Sequence, residues 1–297
     1  MRCCDKCPEM VPLSLSMTPP PMPRTNPHLK TGRFCYWSCD TTAQGPDILA
    51  TLVASARRVG VQEDFHVFTN RDVPGAFVHR PGPLDIRYHV FKWTLLRDRL
   101  AELSYDYFVW LDSDNYFVRH PGNLAPLLRM NQIWCLMESE FTSAATKYRD
   151  WWGAPLPDLD RLFRDHGVAN PKKFNTNGGM FIVRKEAIVD FANAALAFHR
   201  VCLAHGYSNT HDETPLAWLG QIWVDDPTLN AQDATANTWA CDWQGHFKER
   251  LPDGEPWTIE DWMTGEKRIA NPAIVHAMRS KSAMAAAALE DRRALTE

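Results

Sequence analysis

Apolar residues in this chain come in short runs separated by longer amphipathic stretches. FCYWS (34–38) has the composition of a strand, and the stretch after it carries Ile48, Leu49, Leu52, Val53 and Ala56 at helix spacing. FHVFT (65–69) reads as a second strand. Leu96, Leu100 and Leu103 mark one face of a further helix leading into the strand YFVWL (107–111). IWCLM (133–137) and MFIVR (180–184) follow as strands, and Ile188, Phe191, Ala195, Phe198 and Cys202 line a long amphipathic stretch. Strand and helix alternating in this way predict an α/β fold, a mostly parallel mixed sheet flanked by helices on both faces. There is no internal repeat.

Composition sharpens the boundaries. A chain of 297 residues, 45% hydrophobic and 11% aromatic, has enough apolar surface for a sizeable core. Residues 1–31 are proline-rich without a periodic apolar face and read as a disordered leader. The domain is expected over 32–282, followed by an alanine-rich helical tail at 283–297. Cys3, Cys4 and Cys7 crowd the leader, but no paired CxxC…CxxC zinc spacing appears. With 32 basic against 36 acidic residues and no basic block interleaved with aromatics, nucleic acid is not an expected partner. The apolar runs look shorter than the roughly 20 residues that span a bilayer, and the N-terminus lacks a signal-like apolar core. The chain is therefore read as soluble and cytoplasmic, with no integral membrane segment.

The chemistry is concentrated where the strand YFVWL ends on Asp112 and Asp114, one residue apart. In such sheets ligands sit beyond the carboxyl ends of the strands, so both carboxylates are expected in a cleft. Residues i and i+2 share a face in extended backbone, although a turn can spread them. Neighbouring carboxylates repel, which favours a raised pKa or a bound cation, and hard oxygen ligands suit Mg²⁺ or Mn²⁺. Asn175, Thr176, Asn177, Gly178 and Gly179 precede the run MFIVR, where paired glycines let backbone approach a ligand. Asp212 and Glu213 stand before TPLAWL, so one can cap that helix while the other faces the cleft. His276 ends the apolar run AIV, a cleft position for an imidazole ligand or a place for a core histidine. Lys92 reads either as a diphosphate contact or as a solvated helix residue, and the loop 38–40, with Ser38 and Asp40, is positioned to touch a nucleoside.

The run YDYFVWLDSDNYFV resembles the metal-binding segment of glycosyltransferases with the GT-A fold, where an apolar strand ends in an Asp-x-Asp motif. Other segments agree in order. FHVFTN and YHVFKWTLLRDRL precede the motif. FNTNGGMFIVRKEA is similar to the Asn-x-Gly strand of retaining members, HDETPLAWL to the acidic segment facing donor and acceptor sugars, and NPAIVHAMRSKS to the late-histidine segment of glycogenin-like enzymes. The resemblance implies a Rossmann-like GT-A domain that moves a sugar from a nucleotide diphosphate donor, UDP-linked, to a carbohydrate or glycoconjugate acceptor. It implies Mn²⁺ or Mg²⁺ held by Asp112, Asp114 and His276, catalytic roles for Asp212, Glu213 and Asn177, and donor contacts from Ser38, Asp40, Lys92, Asn175, Gly178, Gly179 and Lys281. Arg279 stands where glycogenin-like enzymes carry a glycine, and Lys281 lies one position early.

Two other classes fit part of the pattern. An apolar strand followed by Asp-x-Asp also resembles HAD-like phosphatases, with Asp112 as nucleophile and VDDPT (224–228) as a late acidic motif. Asn115 and Tyr116 depart from that family, as does the long stretch of chain before the motif. A non-enzymatic nucleotide-sugar-binding module is the third class. Of the 12 tryptophans, Trp243 in CDWQGHF is the favoured sugar-stacking residue.

Overall fold

In chain order the first elements are β1 (Phe34–Cys39), α1 (Gly45–Arg58), β2 (Asp64–Phe68), β3 (Phe77–His79), α2 (Phe91–Leu95), β4 (Tyr107–Leu111), β5 (Asn115–Phe117) and α3 (Ala125–Leu128). Next come β6 (Ile133–Glu140), β7 (Asp150–Trp151), β8 (Ala154–Pro155), α4 (Leu156–Asp165), β9 (Phe174–Arg184), α5 (Ile188–Ala204) and α6 (Glu213–Ile222). The last are β10 (Trp239–Cys241), β11 (Trp257–Glu260), β12 (Lys267–Ala270) and β13 (Ile274–His276). This computed structural model describes residues 32–82, 84, 89–129, 131–140, 150–151, 154–171, 174–207, 211–224, 237–241, 257–260 and 267–277. The expected leader, the C-terminal tail, Lys281, Trp243 and all but the first residue of VDDPT lie outside them.

A six-stranded sheet runs β3-β2-β1-β4-β9-β6. β1 pairs in parallel with β2 and β4, and β2 with β3, whereas β9 runs antiparallel to both β4 and β6. The fold is thus mixed α/β with a mostly parallel sheet, as the alternation predicts. Successive residues of each strand enter opposite cores. Trp37, Phe108, Trp110, Cys135 and Phe181 pack with residues of α2, α4, α5 and α6. Tyr36, Val109, Leu111, Trp134 and Ile182 pack with residues of α1 and α3 and with Trp239 and Ile274 of a smaller sheet. All five residues of β4 are buried, as expected of a central strand covered on both faces.

That smaller sheet, ordered β10-β13-β5, is not anticipated by the hydrophobic pattern. Its strands have three residues each, too few to show a period, and their pairing partners are far apart in sequence. β9 also differs from expectation: it begins at Phe174, so Asn175–Gly179 form part of the strand instead of a turn before it. Against β6 its register slips, Cys135 pairing with Phe181 but Leu136 with Asn177, and Gly178, Gly179 and Met180 bulge between.

The 20 residues Lys185–Ala204, which include α5, are the one described helical stretch long and apolar enough to cross a membrane. This revises the reading of short apolar runs only. Ile188, Phe191, Ala195, Phe198 and Cys202 join the core on the sheet, and Phe198 stacks on Trp218 of α6 at 4.4 Å, so tertiary packing accounts for that face.

Candidate metal centre and the cleft around it

β4 stops at Leu111 because the chain turns: the Asn115 N–H and side-chain Nδ2 both donate to the Asp112 carbonyl, at 3.1 and 2.9 Å. β5 then pairs antiparallel with β13, with Asn115 opposite His276. The Ala277 N–H donates to the Asp114 carbonyl at 2.9 Å, locking the turn against the end of β13. Local turn and distant pairing together bring Asp112, Asp114 and His276 to one point.

His276 Nε2 lies 3.0 Å from Asp114 Oδ1 and 3.7 Å from Asp112 Oδ2. One ligand atom from each of the three residues falls within 4.8 Å of the others, a group that could hold a metal ion. Two carboxylates and one imidazole nitrogen are a donor set for a metal cation. The Asp112 side chain is 30% exposed, against 8% for Asp114 and 4% for His276, so Asp112 is the ligand that opens toward solvent.

Lys92 is placed otherwise than the sequence suggested. It is 1% exposed, and its ammonium donates to Asp212 Oδ2 at 2.7 Å, to the Gly178 carbonyl at 3.1 Å and to Asp112 Oδ1 at 3.4 Å. An ammonium has three donors, and all three are engaged, which leaves none for a diphosphate. The solvated-helix reading fails as well, because α2 turns this face inward and Nζ sits 4.6 Å from the centre of the Trp110 ring. Burial pulls the Lys92 pKa down, but the carboxylates of Asp112 and Asp212 outweigh it and hold the ammonium above the usual lysine range.

Asp212 stands at the N-cap of α6 but makes no side-chain capping bond, since its carboxylate turns to Lys92. Gly178 is required there: a Cβ on it would collide with Asp212 Oδ2. A Cβ on Gly179 would come within 2.5 Å of His276 Nδ1. The β9 bulge therefore lets backbone approach the site from two directions, with Gly178 O on Lys92 and Gly179 O accepting from Asp112 N at 2.9 Å and Asn115 Nδ2 at 3.1 Å. Asn177 is 1% exposed and its Oδ1 accepts from Gly179 N at 2.8 Å, so it shapes the bulge. The Glu213 carboxylate lies 3.5 Å from Gly178 N and its carbonyl accepts from Thr176 Oγ1 at 2.6 Å.

Asp40 reaches the same edge, accepting from Ser113 Oγ at 2.9 Å, whereas Ser38 is fully buried and leaves Asp40 as the cleft residue of that loop. Asn175 pairs with Ser139 in the β6–β9 ladder, and its side chain is outside the described residues. Further residues outside the candidate site set also meet the cleft. Trp110 Nε1 donates to Asp112 Oδ1 at 2.8 Å, and the spacing of two along a strand is the signal that was available. Trp239 Nε1 donates to Asn115 Oδ1 at 2.7 Å. His89, a non-glycine residue with φ of 58°, sits 5.5 Å ring to ring from His211 beside the Lys92–Asp212 pair. Burial chiefly, with His89, His199 and Lys92 nearby, lowers the His211 pKa against the opposing pull of Asp212.

Fold and site together define a mixed α/β protein with an Asp-Asp-His group at the carboxyl end of its central parallel strand. Compared with protein-family models the chain matches none, and no curated protein matches it.

Proposed function

We propose that this chain is a metal-dependent glycosyltransferase of the GT-A kind, moving a sugar from a UDP-linked donor to a carbohydrate or glycoconjugate acceptor. The observation that carries the reading is the convergence of Asp112, Asp114 and His276 within 4.8 Å, beside a buried Lys92–Asp212 pair. Support also comes from a parallel sheet interrupted by one antiparallel strand and from the small sheet that delivers His276. Mn²⁺ or Mg²⁺ held by those three residues would supply the positive charge that a departing diphosphate requires.

The chain's own groups then divide the work. Lys92 holds the Asp212 and Asp112 side chains in place, and the bulge at Gly178 and Gly179 brings backbone to the cleft. Asp212 has one oxygen fixed by Lys92, which suits it to orienting a sugar hydroxyl more than to moving a proton. Glu213 is the residue for proton transfer from an acceptor if configuration inverts. If configuration is retained, Asp212 or Asn177 stabilises an oxocarbenium-like state.

Calorimetric titration of UDP with Mn²⁺, then with excess chelator, tests the reading. Binding that requires the cation and disappears in Asp112→Ala is expected, with Glu213→Gln binding UDP normally but turning over slowly. Absence of UDP binding under both conditions sinks it. Hydrolysis of a generic phosphomonoester that is lost in Asp112→Asn would then favour the HAD-like phosphatase, and absence of that too a non-catalytic module.

A further inference from the structure

Behind the candidate metal centre, on the side of His276 away from Asp114, stands a thiol. β10 pairs in parallel with β13, and the register sets Cys241 opposite His276. Cys241 is 3% exposed, and its Sγ lies 3.5 Å from His276 Nδ1. The ring has little freedom to turn, since the Trp239 ring lies 5.7 Å away and Gly179 backs directly onto Nδ1. Packing thus fixes the ring, and the Asp114 carboxylate at Nε2 and the Cys241 thiol at Nδ1 bear on which nitrogen carries the proton.

A neutral imidazole has one N–H and one lone pair. Asp114 as a carboxylate only accepts, so in a neutral ring without a cation the proton belongs on Nε2, and Nδ1 can then accept from a donor. With a cation on the Asp-Asp-His group, Nε2 must offer its lone pair, the proton moves to Nδ1, and the neighbour there must accept. A backbone carbonyl only accepts and a lysine only donates. A thiol does both, weakly enough that neither arrangement is strongly preferred.

We propose that Cys241 is a positioning residue whose thiol donates to His276 Nδ1 in the metal-free site and accepts from it in the filled one. A neutral His276 ring can then change tautomer with no change in net charge. The filled half of this exchange rests on the metal reading given above, and the metal-free half does not.

The test uses the full chain carrying ¹⁵N-labelled histidine, with the His276 signals identified by their loss in His276→Gln. The ring nitrogens are read without metal and with Mg²⁺, and Mg²⁺ affinity is measured by calorimetry for wild type, Cys241→Val and Cys241→Ser. Expected are an Nε2–H ring without metal and an Nδ1–H ring with Mg²⁺. Cys241→Val should weaken Mg²⁺ about tenfold, as loss of an outer partner of a ligating histidine does, and move the metal-free Nδ1 signal. Cys241→Ser, which still donates and accepts, should restore most of that affinity, and Cys241→Ala replaces valine if valine prevents folding. An Nδ1–H ring in the metal-free wild type overturns the proposal. So does a wild type that binds Mg²⁺ no better than Cys241→Val. A wild type that binds neither Mg²⁺ nor Mn²⁺ sinks the metal reading and this proposal together.

Discussion

At two edges of the same sheet polar side chains link into a chain, and the two chains close differently. Along β2 and β3, Tyr105 donates to Asp64 at 2.6 Å and so accepts from His66 Nε2 at 3.0 Å, which leaves His66 Nδ1 to accept from His79 at 2.9 Å. Every link there has one donor and one acceptor, and neither imidazole needs a charge. At the carboxyl end of β4, the carboxylates of Asp112 and Asp212 share the single ammonium of Lys92, and the Asp114 carboxylate meets His276. Burying like charges costs several kcal/mol unless something compensates. The first chain is complete as folded and belongs to the scaffold, whereas the second is left with excess negative charge, the condition of a site that takes a cation.

The comparison can be broken most forcefully at Lys92. Lys92→Met should cost roughly 3–5 kcal/mol in denaturant unfolding, because it strands the buried Asp212 carboxylate. Adding Asp212→Asn should recover part of that loss, and no recovery would mean that Lys92 contributes packing alone. Asp114→Asn should do the reverse, leaving metal-free stability equal or higher while weakening Mn²⁺-dependent UDP binding by at least about 100-fold, measured by calorimetry.

At the other edge the lever is pH. Burial first, and then His79, lowers the His66 pKa from its ordinary value to about 4, and the His79 pKa is lowered too, chiefly by burial. The folded state thus favours neutral rings, so their contribution is whole above about pH 6.5 and is lost as pH falls toward 4. The melting temperature should drop between pH 7 and pH 5 by roughly 2–4 °C more in wild type than in a His66→Phe, His79→Phe double variant. Equal drops would remove the pair from the acid response. The smallest effect is expected from Trp110→Phe, which deletes the indole donor to Asp112 and should cost about 1 kcal/mol, read as a few-fold weaker Mn²⁺ affinity.

How much of this was visible in sequence depends on the range of the interaction. β4 and its terminal carboxylates could be read directly, since a strand buried on both faces shows as an unbroken apolar run and ends at the ligand edge. His276 was legible for the same reason, as the residue closing AIV. Lys92 was misread because nothing within one turn of α2 reveals that Asp212, 120 residues later, will meet it. Cys241 carried no signal of its own, since its partner is set by the pairing of two three-residue strands.

The sequence by itself determined the order of the main strands β1, β2, β4, β6 and β9, the two-sided burial of the central sheet and the position of Asp112 and Asp114 at its edge. These depend on hydrophobic periodicity, which acts between neighbours along the chain. Only the tertiary structure decided that Asp112, Asp114 and His276 meet, that Lys92 is spent on Asp212, and that a thiol stands behind the histidine. Those contacts follow from the β5–β13 and β10–β13 registers and from the β9 bulge, which are set by pairing between distant segments.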